Sequence, residues 1–236
     1  MKIIFEDSQI LVCYKEAGLA VQSAGHRIMD LESMLRSRLA AERSMPPDRL
    51  HVVHRLDQPV EGLVLFALSS KSASVLGKEL TDGRMKKTYL ALVSCETAEG
   101  RNLIEDTRRD GETLLENYLE RDRKTNSSRI VPEKSPESKL ARLTFRVRSL
   151  DVENRLALLE IDLHTGRHHQ IRAQLSGAGL PIAGDRRYGK PDTAVALQPG
   201  FPCLCAWKLS FEHPAGGEKM SFEVKPEDCP GQPFWI

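Results

Sequence analysis

The chain has 236 residues, room for one large domain or two small ones, and its hydrophobic fraction of 40% can fill a sizeable core. A formal net charge of +1 does not announce a nucleic-acid partner, so any such role would have to rest on locally gathered cations. No apolar run approaches the roughly 18 residues that a membrane span needs, and no secretory signal pattern opens the sequence. Five cysteines, at 13, 95, 203, 205 and 229, are odd in number and lack CxxC spacing, so reduced thiols and a cytoplasmic location are expected.

Lys2 to Phe5 and Ile10 to Tyr14 read as short strands around a turn at Asp7-Ser8. Lys15 to Val21, which contains Gly18, reads as a loop. Asp30 is placed to cap a helix from Leu31 to about Ala41, with Leu31, Met34, Leu35 and Leu39 on one face, and Met45-Pro46-Pro47 to end it. The stretch from His51 to Ala67 has two unlike halves. The first ends in His54, Arg55, Leu56 and Asp57. Gln58, Pro59 and Gly62 supply turn chemistry, and Leu63 to Leu68 is an unbroken apolar run that predicts a buried strand. A carboxylate beside a cation, on a turn feeding a core strand, suits a rigidly held reactive Asp. It also suits a surface ion pair.

Ser69 or Ser70 can cap a helix over Lys71 to Leu80, with Ala73, Leu76 and Leu80 inward and Gly83 as its stop. Met85 to Val93 follows as a strand whose alternation puts Lys87 and Tyr89 on one face. Taken alone, Tyr89 reads as a half-buried sheet tyrosine. Glu96 to Ser138 changes character: it is charged, poor in apolar residues, and ends in Pro132 and Pro136. Within Arg121 to Lys139, six Lys/Arg face three Asp/Glu, a local net of 6 − 3 = +3. That pattern fits phosphate contacts and a merely solvated loop about equally.

Ala141 to Leu150 and Arg155 to Leu163 predict two strands, and Leu163 to Arg172 leads from strand into helix. Ile171, Leu175 and Ala178 mark that helix's apolar face, with Gly177 and Gly179 at its end. His164, His168 and His169 invite a zinc reading, but no zincin-type Glu lies between them and no fourth ligand is spaced to help. No metal is therefore expected. Cys203 to Phe211 and Met220 to Val224 close the chain as strands, with Cys203 and Cys205 alternating onto one sheet face. The pattern predicts an α+β (mixed α/β) fold in one domain, 1–236, its sheet largely antiparallel rather than wound by βαβ units.

Three stretches together resemble the RluA family of pseudouridine synthases. They are His54-Arg55-Leu56-Asp57 through Gly62 to Ala67, then Lys87-Thr88-Tyr89-Leu90-Ala91-Leu92-Val93, and then Thr165-Gly166-Arg167-His168-His169-Gln170-Ile171-Arg172. The third continues through Gly179-Leu180-Pro181-Ile182 and Gly184-Asp185-Arg186-Arg187-Tyr188-Gly189. The resemblance runs through essentially the whole chain. Val60-Glu61-Gly62 stands where the family often has Thr-Ser-Gly, Gln174 where it often has His, and Lys15-Glu16-Ala17-Gly18 where Lys-Pro-Ala-Gly is usual. Many relatives carry an added S4 domain; with the catalytic stretch opening at residue 1, none is expected here.

The resemblance implies an isomerase that breaks the uridine N1–C1′ bond, turns the uracil and rejoins it through C5, with no cofactor. It implies Asp57 as nucleophile, Arg172 as its partner, and Tyr89 against the target base. Arg55 is expected to fill the gap left by the flipped uridine, with His54, Lys87, Arg167, His169 and Gln170 as further RNA-contacting positions. The implied partner is RNA, ribosomal or transfer, and the chain is expected to act as a monomer, away from membranes. Two other readings stand beside this one. A catalytically inactive RNA-binding protein would share the fold. A glycosidase would need a second carboxylate about 5–10 Å from the first, for which Glu61 is the nearby candidate.

Overall fold

The structure is a computed structural model that describes residues 1–23, 29–43, 46–189, 200–229 and 233–235. Met45, expected among the residues that end the first helix, lies outside them. In chain order the elements are β1 (Lys2–Glu6), β2 (Ile10–Lys15), α1 (Leu31–Arg43), β3 (His51–Val52), β4 (Glu61–Ala67), α2 (Ser70–Thr81), β5 (Lys86–Ser94) and α3 (Ala98–Asp110). There follow β6 (Thr113–Asp122), β7 (Ser127–Val131), β8 (Lys139–Asp151), β9 (Leu156–Leu163), α4 (Gln170–Gly177), β10 (Leu204–Glu212) and β11 (Lys219–Glu223). The fold is mixed α/β with largely antiparallel sheet. The chain forms two compact units, one of Met1–Lys86 with Ala206–Pro233, the other of Lys87–Cys205 with Phe234–Ile236.

In the first unit the strand order is β1-β2-β4-β10-β11, with β3 on β4. Every residue of β2 and of β4 is buried. Covered on both faces, these strands read as continuous apolar runs rather than alternating ones. Gly62 shows why one position in β4 carries no side chain: a Cβ there would lie 2.4 Å from the Ala206 carbonyl oxygen. Asp30 caps α1 as expected, accepting the Ser33 amide at 2.8 Å, and Leu31, Leu35 and Leu39 are buried on its inner face. Ser69 caps α2, accepting the Ser72 amide at 3.1 Å. The inner face of α2 differs from the expected Ala73, Leu76 and Leu80: it is Ser72, Leu76 and Glu79 that are buried. Both polar members bury because each finds a partner. Ser72 donates to Gln9 Oε1 at 2.8 Å, and Glu79 accepts the Glu212 amide at 3.0 Å.

In the second unit the order is β5-β9-β8-β6-β7, each neighbouring pair antiparallel. Here the loop expected over 121–139 is overturned in its first half, and the charged stretch over 96–138 is ordered. It holds α3 and the β6–β7 hairpin, paired from Tyr118↔Val131 to Asp122↔Ser127. Charge hid the pattern, because these elements need few apolar residues. Thr97 caps α3, Gly111 (φ 89°) ends it, and Ile104 and Thr107 alone with Gly100 face inward. Leu119 and Ile130 pack the hairpin onto Ala141 and Ala173. Helix α4 is buried nearly all round, from Gln170 to Leu175, rather than along one apolar stripe.

Four of the five cysteines are buried. Burial pushes the Cys13 thiol up to about 12 and the Cys95 thiol up to about 11, which leaves both as unreactive core groups. The three histidines of the zinc reading are each engaged otherwise. His164 meets Thr144, His168 meets Ser128, and His169 meets Tyr188.

Candidate active site

Asp57 sits on the turn between β3 and β4, whose ends are fixed by two different devices. Upstream, the buried His54 ring accepts the Leu65 amide of β4 on Nε2 at 3.3 Å, and the Val53 amide donates to the Leu65 carbonyl at 3.2 Å. The turn itself closes with the Val60 amide on the Asp57 carbonyl at 3.0 Å. Downstream, Lys15 is 0% exposed, and its ammonium donates to three carbonyl oxygens: Glu16 at 3.0 Å, Leu19 at 2.7 Å and Gln58 at 3.0 Å. The Gly18 amide also donates to Gln58 O, and the Gln58 side chain returns a bond to Gly18 O. The residue following Asp57 is therefore stapled to the 15–19 loop.

Burial draws the Lys15 ammonium down to about 8, while the charges of Asp57 and Glu61 hold it up. Coulomb attraction is mutual, so Lys15 in turn favours the ionised form of Asp57. Sequence reasoning quoted Lys15 within a family pattern and gave it no role. The signal was a lone cation closing an otherwise apolar strand. Glu61 is also buried; it accepts the Tyr14 hydroxyl at 2.7 Å, and burial raises its carboxyl despite that bond and the Lys15 charge. A carboxyl locked in this way is poorly placed to activate a water, as a glycosidase's second carboxylate must. Arg55 is exposed on the same segment.

In the second unit, Tyr89 is buried on β5 opposite Ile161 of β9. Thr88, on the other face, donates to Asp162 at 2.8 Å. Lys87 is half-buried, and burial lowers its ammonium. Arg172, on α4, makes a two-pronged pair with Asp185: Nε at 2.7 Å and Nη2 at 2.8 Å, with side chains 5% and 0% exposed. Asp185 also accepts the Arg187 and Tyr188 amides at 2.9 and 3.2 Å. Burial alone would raise its carboxyl, but these bonds and the Arg172 charge hold it below the usual range. The Arg172 guanidinium stands 5.1 Å from the centre of the Tyr188 ring.

His169 begins α4 with φ at 51°, a left-handed backbone that few side chains adopt. Its ring stacks on His168 and places Nδ1 2.9 Å from Tyr188 Oη, which also accepts the Ser128 amide at 2.7 Å. Burial first, then the nearby Arg172 and Arg187 charges, push His169 down to about 4, so it is neutral near pH 7. A neutral ring can accept the Tyr188 proton, giving one chain of donation from Ser128 through Tyr188 to His169. Gln170 is engaged internally: Oε1 accepts Thr165 Oγ1 and the Arg167 amide, and Nε2 donates to Arg142 O and Gln174. The geometry gives Gln170 and His169 the work of shaping the turn that delivers Arg172. Asp185, Tyr188 and Ser128 were not singled out in sequence, because their partners lie 13 to 60 residues away.

A family model described as RNA pseudouridylate synthase matches residues 9–177. An uncharacterized RNA pseudouridine synthase of Bacillus subtilis is 32% identical over 227 residues, covering 95% of this chain and 68% of the relative. Ribosomal large subunit pseudouridine synthase D of Nitrosomonas europaea is 32% identical over 239 residues, covering 94% of this chain and 61% of the relative. The chain thus spans about two thirds of the length of these relatives. Among solved structures, human RNA pseudouridylate synthase domain containing 1 shares the fold, with a TM-score of 0.73 at 20% identity over 95% of this chain and 83% of that one. The chain belongs to the RNA pseudouridylate synthase family, isomerases that convert uridine to pseudouridine in RNA. Within that family its catalytic region is of the RluA type, matching relatives named as ribosomal large subunit synthases C and D.

Proposed function

We propose that this chain isomerises specific uridines of ribosomal or transfer RNA, with ribosomal RNA favoured by the names of its relatives, and that Asp57, Tyr89 and Arg172 carry the reaction. The observation that carries the reading is the family match over 9–177, which contains all three residues in their motif order. It also runs through both compact units, in keeping with one catalytic domain. Asp57 acts as the nucleophile on the target nucleotide, and the bond it makes breaks again, returning the carboxylate, before the product leaves. The N1–C1′ bond breaks, the uracil turns, C5 bonds to C1′, and the C5 proton leaves while N1 regains one. Bonds broken and made balance within one nucleotide, so no energy source is consumed.

Each unit supports its part. The staple at Gln58 fixes the turn that bears Asp57, and Lys15 favours its charge. Fixing the reacting group beforehand lowers the entropic cost of reaching the transition state. Arg172 is rigid in its pair with Asp185. Tyr89 offers a flat face to a base and a hydroxyl suited to moving the C5 proton. Arg55, exposed beside Asp57, is suited to fill the stack where the uridine leaves it. The chain acts as a monomer in the cytoplasm: among the described residues the large exposed apolar side chains are Met29, Val75, Leu114 and Val152, spread through the sequence. No helix among the described residues is long and apolar enough to cross a membrane.

The test is to incubate the protein with total RNA and map pseudouridine at single-nucleotide resolution, with Asp57→Asn alongside. Wild type should add pseudouridine at defined sites and Asp57→Asn at none, while RNA binding survives. Equal product from a clean preparation of Asp57→Asn would remove Asp57 from the nucleophile role.

A further inference from the structure

The β6–β7 hairpin reaches the helix that bears Arg172 through one small side chain. Ser128, the second residue of β7, is buried. Its hydroxyl donates to the His168 carbonyl at 2.6 Å and stands 3.0 Å from His168 Nδ1, and its amide donates to Tyr188 Oη at 2.7 Å. A serine hydroxyl has one proton. With that proton on the carbonyl it accepts from the ring, which must then carry its hydrogen on Nδ1. Tyr188 Oη accepts from Ser128 and gives its own proton to the neutral His169 ring, on Nδ1 at 2.9 Å. The two stacked rings of His168 and His169 are thereby held in opposite tautomers.

These bonds fall on the two segments that set Arg172. The His168 carbonyl belongs to the peptide that leads into His169, whose φ of 51° is the left-handed backbone at the start of α4. A side chain keeps such a backbone only where its surroundings over-determine it, and the Ser128 hydroxyl holds that peptide directly. Tyr188 sits in the loop of Asp185. Its amide and Arg172 Nη2 share the Asp185 Oδ1 acceptor, and its ring lies 5.1 Å from the guanidinium. Ser128 thus ties the start of the helix bearing Arg172 to the loop bearing its carboxylate. The hairpin is seated closely enough to hold both. A Cβ on Gly177, the last residue of α4, would run into Ile130 Cδ1 of β7, and Arg187 donates to the Thr125 carbonyl at the hairpin's turn.

We propose that Ser128 is a positioning residue for the reaction, and that the β6–β7 hairpin, which carries none of the motif residues, is in this way part of the catalytic apparatus. The inference rests on the reading of Arg172 as catalytic. Ser128 acts through the His168–His169 peptide and through Tyr188, which together narrow the orientations open to the guanidinium. Without the hydroxyl the peptide can relax, and Arg172 loses its aim while its pair with Asp185 survives.

The test is single-turnover pseudouridine formation at saturating protein, with RNA affinity measured separately. Ser128→Ala keeps the amide bond to Tyr188 and removes only the hydroxyl. Its rate constant should fall on the order of tenfold, the loss of about one hydrogen bond, at unchanged RNA affinity. In an Arg172→Lys background the two-pronged geometry is already gone, so the same replacement should cost less than about twofold there. Tyr188→Phe takes away the acceptor of the Ser128 amide, should show the same pattern, and carries the test if Ser128→Ala does not fold. An unchanged rate, a loss confined to RNA affinity, or an undiminished loss in the Arg172→Lys background would overturn the proposal. Exchange of the Arg172 Nε proton with water, followed by NMR, gives a readout independent of turnover. It should quicken on the order of tenfold in Ser128→Ala, and equal exchange would also overturn the proposal. Wild type is assayed on total RNA in parallel. Absence of pseudouridine there refutes the catalytic reading while the exchange still decides whether Ser128 holds Arg172, whereas product formation with equal rates and equal exchange refutes the role of Ser128 alone.

Discussion

Asp185→Asn tests the support of Arg172 without touching Arg172 itself. The two side chains are 5% and 0% exposed, and both Nε and Nη2 depend on the carboxylate. The amide keeps the shape and can still accept one bond, but its NH2 group faces a donor and its charge is gone. Removing one partner of a buried, hydrogen-bonded ion pair costs about 3–5 kcal/mol. The residual acceptor and the Tyr188 ring at 5.1 Å recover part of that, so the expected loss is about 3 kcal/mol. For a chain of this size that is a fall in Tm of about 6–12 °C. The assay is thermal unfolding from pH 7 downward. The native carboxyl is held below its usual value, so its stabilisation is complete above the unfolded value near 3.8 and fades as pH falls through the lower folded one. Wild type and variant should therefore differ most at neutral pH and converge in strong acid. Adding Arg172→Met should recover part of the lost stability, since the guanidinium that lost this carboxylate is removed with it. A loss under about 1 kcal/mol for Asp185→Asn alone, or a difference that does not shrink in acid, would refute the reasoning.

Tyr89→Phe keeps the ring and removes the hydroxyl; product formation should slow substantially at unchanged RNA affinity in single-turnover assays, and full activity would leave Tyr89 with stacking alone. Lys15→Met removes three bonds to carbonyls around the Asp57 turn; turnover should fall and the acidic limb of the pH–rate profile should move to higher pH, because a nearby cation no longer favours the carboxylate. An unmoved limb would reduce Lys15 to a structural tie. His169 is neutral in the fold down to about 4 but titrates near 6.5 when unfolded, so its contribution is present above 6.5 and is lost as pH falls toward 4. His169→Asn, which tolerates the left-handed backbone, should flatten the stability profile across that window in chemical denaturation.

The strands that matter most were legible because burial on both faces leaves a mark that survives any register, as in Ile10 to Tyr14 and Leu63 to Ala67. The stretch from 98 to 131 was not. Its elements bury so few residues that charge dominates the local pattern, and hairpin pairing between Tyr118 and Val131 leaves no trace in either strand alone. At the site, Asp57, Tyr89 and Arg172 stood out through motifs. Lys15, Asp185 and Tyr188 stood inside quoted motifs without a role, because what defines them is a partner rather than a neighbour: Lys15 reaches 43 residues to Gln58, and Tyr188 reaches 60 to Ser128. Glu61 was visible as a departure from its family, but its bond to Tyr14 was not.

The staple around Asp57 also marks where the fold can open. Two of the carbonyls that hold the Lys15 ammonium, on Glu16 and Leu19, belong to a loop while the third, on Gln58, belongs to the turn. Loop and turn are thus tied through one buried side chain, and parting either strips acceptors from its charge. The turn that bears Asp57 should therefore open together with that loop, as a unit smaller than the sheet beneath it.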